Sequence, residues 1–397
     1  WHISTATDQA AYWQGLADKY MADHPNVDIK ITILENDAFK QKLVTVMQAG
    51  DPPDLFQSWG GAVLWNFAQN GLVRNIAPEL DGAWKDSFAV PAALNLYGQN
   101  GEFYGVPWDW GAVGMFYNKA LFAKAGITDL PTTWTQYLDV VKKIKDAGIT
   151  PISLGEGETW PGHFWWVYLA TRIGGEKAFL DAYNRTGSFA DESFVKAGET
   201  LQQLIALEPF QDGYLGMSHN DSEGVFGNGQ AAMELMGQWA PGAQAQYSTD
   251  GKGIGADNIG WFPFPMVEGG AGNANDVFGG GDGIAVGKNA PDEAVDFLKF
   301  LTNEENNAAN AFFTIPVIKG TESAITDPVM QQIIKARNDA PYFQLYYDQF
   351  LPPAVGNEVN DAVATIFGAT ASPAEAAQAI EDVAATELTA PEATPAS

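Results

Sequence analysis

Three carboxylates, Asp109, Glu156 and Glu158, stand among aromatic residues in this chain. Glycoside hydrolysis needs side chains of that type, with two carboxyl groups on opposite sides of a sugar ring. The same groups have a second use, because a carboxylate accepts hydrogen bonds from sugar hydroxyls without reacting. The sequence shows no G-x-S-x-G elbow, no phosphate-binding Walker loop, no H-E-x-x-H zinc pair and no protein kinase signature. Its four histidines, His2, His24, His163 and His219, are scattered without ligand spacing. The run Gly279-Gly280-Gly281-Asp282-Gly283 precedes a strand instead of opening a helix, and Asp282 would repel a phosphate. With no cysteine, the chain holds no disulfide, no thiolate metal site and no Cys nucleophile. No catalytic residue, metal or cofactor is therefore expected.

Rings are the more distinctive resource. The chain carries 13 Trp and 13 Tyr but only 21 Lys and Arg, and flat indole and phenol rings suit the apolar faces of sugars. The formal net charge of −28 repels phosphate backbones and anionic headgroups, so nucleic acid is not an expected partner. A composition of 46% hydrophobic and 18% charged residues describes a folded chain. No stretch approaches the roughly 20 apolar residues that cross a bilayer. Trp1 to Thr5 reads as the end of a strand, so further residues are expected upstream.

The elements that would position these groups alternate between helix and strand. Thr7 to Ala22 has Tyr12, Leu16 and Tyr20 on one stripe, and Val27, Ile29, Ile31 and Ile33 alternate with polar residues as a strand does. Asn36 or Asp37 is expected to cap a helix carrying Phe39, Leu43 and Met47, and Asp54 to Ser58 reads as the next strand. A second series begins near Met115, with Thr132 or Thr133 capping a helix and Ile152 to Leu154 forming a strand. The Pro- and Gly-rich segment from Trp261 to Gly283 reads as a connection, followed by a strand at Gly283 to Gly287 and a helix from Pro291. At 397 residues, two α/β lobes fit better than one core.

Several segments, in this order, resemble the extracellular solute-binding proteins of ABC importers, in particular the large sugar-binding group that includes maltose-binding protein. They are Asp51 to Trp59 (DPPDLFQSW), Pro107 to Gly126 (PWDWGAVGMFYNKALFAKAG), Pro131 to Trp134 (PTTW), Phe226 to Trp239 (FGNGQAAMELMGQW), and Gly280 to Val286 with the Pro-x-Glu-Ala helix after it. Within that group the chain is most similar to actinobacterial binding proteins for xylobiose and related xylo-oligosaccharides. The resemblance implies an α/β, two-lobe periplasmic-binding-protein fold, with a ligand cleft between the lobes and three crossovers near Asp109 to Gly114, Trp261 to Pro265 and Phe312 to Pro316. One lobe then comprises residues 1–110 and 265–313, the other 111–264 and 314–385, with a disordered tail over 386–397. It further implies a monomer outside the cytoplasmic membrane, held at its outer face by a lipidated residue upstream of Trp1. That monomer captures a short oligosaccharide by hinge closure and hands it to a membrane-embedded ABC permease.

A pyranose needs rings above and below its faces and planar polar groups around its edge. Asn36 and Trp59 follow strands in the first lobe, where Gly60 permits close backbone approach, and Asp109 and Trp110 lie at the first crossover. Glu156 and Trp160 follow the strand at Ile152, Gln238 and Trp239 follow the Met233 to Met236 strand, and Asp282 and Tyr346 complete the set. Each has a plainer reading: Asn36 as a helix cap, Asp109 and Asp282 as loop braces, the Trp residues as packing. Trp165 and Trp166 point about 100° apart on a helix and read as core. Two other functions stay open, a binding protein for polyamines or other small solutes and a carbohydrate-active hydrolase.

Overall fold

Apolar faces at helical spacing decide where the first elements form. In the computed structural model, which describes residues 1–388, α1 (Thr7–Asp23) buries Trp13, Leu16, Ala17 and Tyr20 along one stripe. Helix α2 (Asn36–Gln48) buries Phe39, Leu43 and Met47. Its N-cap is Glu35 and no side chain caps this end, which corrects the expectation for Asn36 and Asp37. Instead of folding back on the backbone, the Asn36 carboxamide oxygen is buried without a partner. Strands β1 (Leu55–Ser58) and β2 (Gly105–Pro107) follow. The alternation at Val27 to Ile33 does not become a strand. Its ladder contact is the single parallel bridge between His2 and Ile33, because only His2 lies alongside it. A cavity of about 280 Å³ is lined by Val27, Ile29, Ile31 and Leu55, with Phe297 and Leu301.

The chain divides into two compact units, residues 1–111 with 280–331 and residues 112–279 with the described residues from 332 onward. The second unit is built on β3 (Gly114–Asn118), β4 (Thr150–Ser153), α3 (Trp160–Tyr183), α4 (His219–Gly227), β5 (Ala231–Met236), α5 (Ala240–Gln246) and β6 (Ile259–Phe262). Its sheet runs β4-β5-β3-β6, with β4 and β5 parallel and β3 antiparallel to both its neighbours. Every residue of β5 is buried, as a central strand covered on both faces requires. The helix Trp134–Asp146 starts on a Thr133 capping box with Gln136. Trp165 and Trp166 are both core residues, each 1% exposed. In the first unit, β7 (Gly283–Val286) lies between β1 and β2, antiparallel to each.

By packing, the chain passes from one unit to the other at residues 279–280 and 331–332, downstream of Trp261 to Pro265 and Phe312 to Pro316, where the resemblance implies crossovers. Arg172 on α3 donates to the carbonyls of Phe264, Pro265, Asn273 and Asp276, which ties residues 264–276 to the second unit. In the same way the Asn307 Oδ1 accepts the N–H groups of Val317 and Ile318, holding that segment in the first unit. The last helix, Pro373–Glu387, runs past Thr386, where a tail was expected to begin. The rest of that expectation, residues 389–397, lies outside the described residues. Among the described residues no helix is long and apolar enough to cross a membrane.

Candidate ligand-binding site

The second unit gathers rings and unsatisfied polar groups at one place. Beyond the end of β5, Gly237 lets the chain fold back so that the Trp239 ring lies where a side chain at 237 would be, 2.1 Å from an ideal Cβ. Trp239, half-buried, then starts α5. At the start of α3, Thr159 takes a left-handed φ of 61° and Pro161 fixes the first turn, which sets Trp160. The Trp160 and Trp239 centroids are 6.4 Å apart, and Trp239 is 6.5 Å from Tyr346. Tyr346 stacks on Phe164 at 5.5 Å, and His219 meets the Trp160 ring edge-on at 4.6 Å.

Around these rings, buried polar atoms lack partners. Both carboxylate oxygens of Glu156 find no side-chain donor, and Trp160 Nε1 and Gln238 Oε1 are likewise unpaired. Glu156 leans on the first turn of α3, where the backbone N–H of Gly162 faces it. A Cβ at 162 would sit 2.2 Å from Glu156 Oε2, so only glycine admits the carboxylate there. Burial pushes the Glu156 carboxyl well above its ordinary range, and the Gly162 N–H opposes this more weakly. Such a set offers one N–H donor and several acceptors beside aromatic faces, which matches a neutral polyhydroxylated ligand.

The first unit holds the other expected residues. Trp59, just after β1, is half-buried, with Lys40 Nζ 5.1 Å from its ring centroid and Phe39 edge-on at 6.1 Å. Gly60 has φ 70°, and a Cβ there would meet the Leu96 carbonyl at 2.8 Å, so close packing demands the glycine. Asp282 reaches the side chains of Gln57 and Trp59; burial, then the charge of Asp109, raises its carboxyl well above the ordinary range. Asp109 braces the loops: one oxygen accepts the Asp282 N–H at 2.6 Å and the other accepts the Thr314 hydroxyl. Trp110 is 3% exposed, its N–H bonded to the Ile315 carbonyl at 3.0 Å. Asn36, Trp59, Gly60, Asp109, Trp110 and Asp282 thus belong to the first unit, and Glu156, Trp160, Gln238, Trp239 and Tyr346 to the second.

Phe164, His219, Glu223, Glu234 and Gln244 were missed from the sequence. Glu234 carried a visible signal as the one charged residue inside the apolar strand Ala231–Met236. The other four are brought there only by packing. Among the described residues no group of three or more His, Asp or Glu side chains is placed to hold a metal ion.

Comparison with known proteins adds three likenesses and one family. The family model described as bacterial extracellular solute-binding protein matches residues 4–308. The diacetylchitobiose binding protein DasA of Streptomyces coelicolor is 27% identical over 77% of this chain and 69% of its own length. A structure from work on xylan utilization by the thermophilic bacterium Caldanaerobius polysaccharolyticus has a TM-score of 0.90 at 28% identity, covering 96% of this chain and 98% of that one. A chitin oligosaccharide binding protein gives 0.89 at 26% identity, with 97% of each chain covered.

Proposed function

This chain belongs to the bacterial extracellular solute-binding proteins, and from that premise we propose that it captures a short oligosaccharide for an ABC importer and delivers it to the membrane-embedded permease. The observation that carries the reading is the joint presence, in one unit, of Trp160, Trp239 and Tyr346 with the unpaired buried groups of Glu156, Gln238 and Trp160. A pyranose laid against these rings covers their apolar faces, and its hydroxyls donate to the Glu156 and Gln238 oxygens while one accepts from Trp160 Nε1. Each orphaned group so satisfied recovers about 1–3 kcal/mol of desolvation cost. Nothing in this arrangement calls for bond cleavage, so the role is binding and release.

The sugar we favour is xylobiose or a similar xylo-oligosaccharide, which the likeness at TM-score 0.90 supports. A chito-oligosaccharide is the second reading, supported by the two relatives whose names carry that sugar. A thermal-shift and calorimetric screen with xylobiose, diacetylchitobiose, maltose and spermidine separates them. We expect xylobiose to give the largest shift; a larger shift with diacetylchitobiose selects the second reading. No response to any sugar, or shortening of an oligosaccharide on incubation, would overturn the proposal.

A further inference from the structure

Behind the aromatic cluster, in the same unit, lies a pair of acids that the binding role does not require. Glu223 on α4 and Glu234 on β5 are 0% and 1% exposed, and their carboxyl groups contact each other. Glu234 Oε2 accepts from Gln244 Nε2 on α5 at 2.8 Å, whereas Glu223 Oε2 and Glu234 Oε1 have no hydrogen-bond partner and Glu223 Oε1 has only His219 Nε2 nearby, at 3.5 Å. Two buried carboxyl oxygens in contact without a donor between them must share a proton. The pair also sits where backbones run unusually close. A Cβ at Gly227 of α4 would lie 1.9 Å from the Gln244 carbonyl, so α4 and α5 have no slack to absorb a movement of either acid.

Those elements carry the ligand-facing rings. Helix α4 carries His219, whose ring packs on Trp160 and whose Nε2 lies 3.5 Å from Glu223 Oε1. Strand β5 and helix α5 bracket Trp239, and Gln244 ties the far side of that turn back to Glu234. We propose that Glu223 and Glu234 are a one-proton positioning pair, which holds α4, β5 and α5 in the register that presents Trp160 and Trp239 to ligand and loosens that register when the shared proton leaves. The proposal rests on the reading of those rings as the sugar site.

The direction of the pH dependence follows from burial. Desolvation raises both acids; for Glu223 the charge of Glu234 raises it further, and for Glu234 the Gln244 hydrogen bond opposes the rise. A carboxyl raised in the folded state gives stability that is whole below its unfolded value and is lost as pH rises through the folded one. The groups facing the pair are His219 from α4, Gln244 from α5, and, in the ladder beside Glu234, Ser153 from β4 and Phe116 from β3. Of these only His219 carries a titratable ring, and Glu158, which accepts the His219 backbone N–H at 3.3 Å, stands next to it.

The test measures xylobiose and diacetylchitobiose affinity by Trp fluorescence, together with the ligand-free Tm, from about pH 5.5 to about pH 9, ionisation of the carboxyl pair being the event probed. Four chains are compared: the unsubstituted protein, Glu223→Gln, His219→Gln and the exposed control Glu305→Gln. Sugar affinity of the unsubstituted protein should fall by about five-fold or more toward high pH, with Tm falling alongside, as a factor of ten per 1.36 kcal/mol permits. Glu223→Gln supplies a permanent donor to Glu234, so both profiles should flatten to within about two-fold while the low-pH affinity is kept. His219→Gln and Glu305→Gln should retain the pH dependence. A flat affinity profile in the unsubstituted protein, an unchanged slope in Glu223→Gln, or loss of the slope only in His219→Gln would overturn the proposal. A protein that binds no sugar at any pH refutes the sugar-site reading instead, and the pair is then judged on Tm alone: a slope that Glu223→Gln abolishes upholds the shared proton, and any other Tm result rejects it.

Discussion

Trp239 and Glu156 are the two residues on which the binding reading leans hardest, and they fail in different ways. Removing the Trp239 indole deletes a half-buried apolar face, and the lost contact is about 2–3 kcal/mol, or roughly 30- to 150-fold in Kd. Trp239→Ala should therefore weaken xylobiose binding by that factor in calorimetry, with Trp239→Phe between; an unchanged Kd would remove Trp239 from the site. Glu156→Gln keeps the shape but turns one acceptor into a donor, so a roughly ten-fold loss of affinity is expected. Its ligand-free Tm should stay level or rise, because burial already disfavours the Glu156 charge and the amide has none. A fall in Tm with unchanged affinity would make Glu156 a structural acid. The placement of Trp160, Gln238 and Trp239 just beyond strands was legible from sequence, because strand ends and turn residues mark where side chains leave a sheet. Glu223 and His219 were not, since only the packing of α4 on β5 brings them behind Trp160.

At the scale of elements, two positions show how one residue governs a segment. Arg172, buried in helix α3, supplies four hydrogen bonds to carbonyls of the segment Phe264 to Asp276. Composition alone reads the Pro- and Gly-rich stretch as a connection, and a buried Arg facing its carbonyls is what anchors it. Burial lowers the pKa of this guanidinium, and Tyr168 and Asp276 oppose the shift. Arg172→Met should cost about 3–5 kcal/mol by leaving them without donors, and Arg172→Lys should recover little, since a single ammonium cannot span the fork. Urea unfolding measures both; a loss below about 1 kcal/mol for the Met variant would show that water replaces the guanidinium freely. The second position is Gly162. An alanine there favours a helix by about 0.5–1 kcal/mol, but its Cβ would occupy the place of the Glu156 carboxylate. Gly162→Ala should thus lower sugar affinity at least as much as Glu156→Gln does; equal affinity would mean that Glu156 can leave its seat without consequence. The strand expected at Val27 to Ile33 failed for another reason: alternation reports which face is apolar, whereas a strand also needs a partner, and here His2 alone supplies one.

For the whole molecule, charge and ligand make opposite demands, and salt separates them. A net charge of −28 puts long-range repulsion into the folded chain, and added salt screens it, so the ligand-free Tm should rise with ionic strength. The same field would draw in a polycation, and such binding would weaken steeply as the Debye length falls from about 30 Å at 0.01 M to about 8 Å at physiological salt. A neutral sugar feels none of this. Its contacts are ring faces and short hydrogen bonds from buried groups, whose strength salt does not reach. Xylobiose at about a hundred times its Kd should therefore add roughly 2.7 kcal/mol of stability at low and at high ionic strength alike. Spermidine, if it binds at all, should stabilise the protein only at low salt. Differential scanning calorimetry at two ionic strengths with each compound gives the comparison directly. A sugar-induced shift that disappears with salt, or a spermidine shift that survives it, would mean that the acidic surface and not the rings of Trp160, Trp239 and Tyr346 selects what this protein carries.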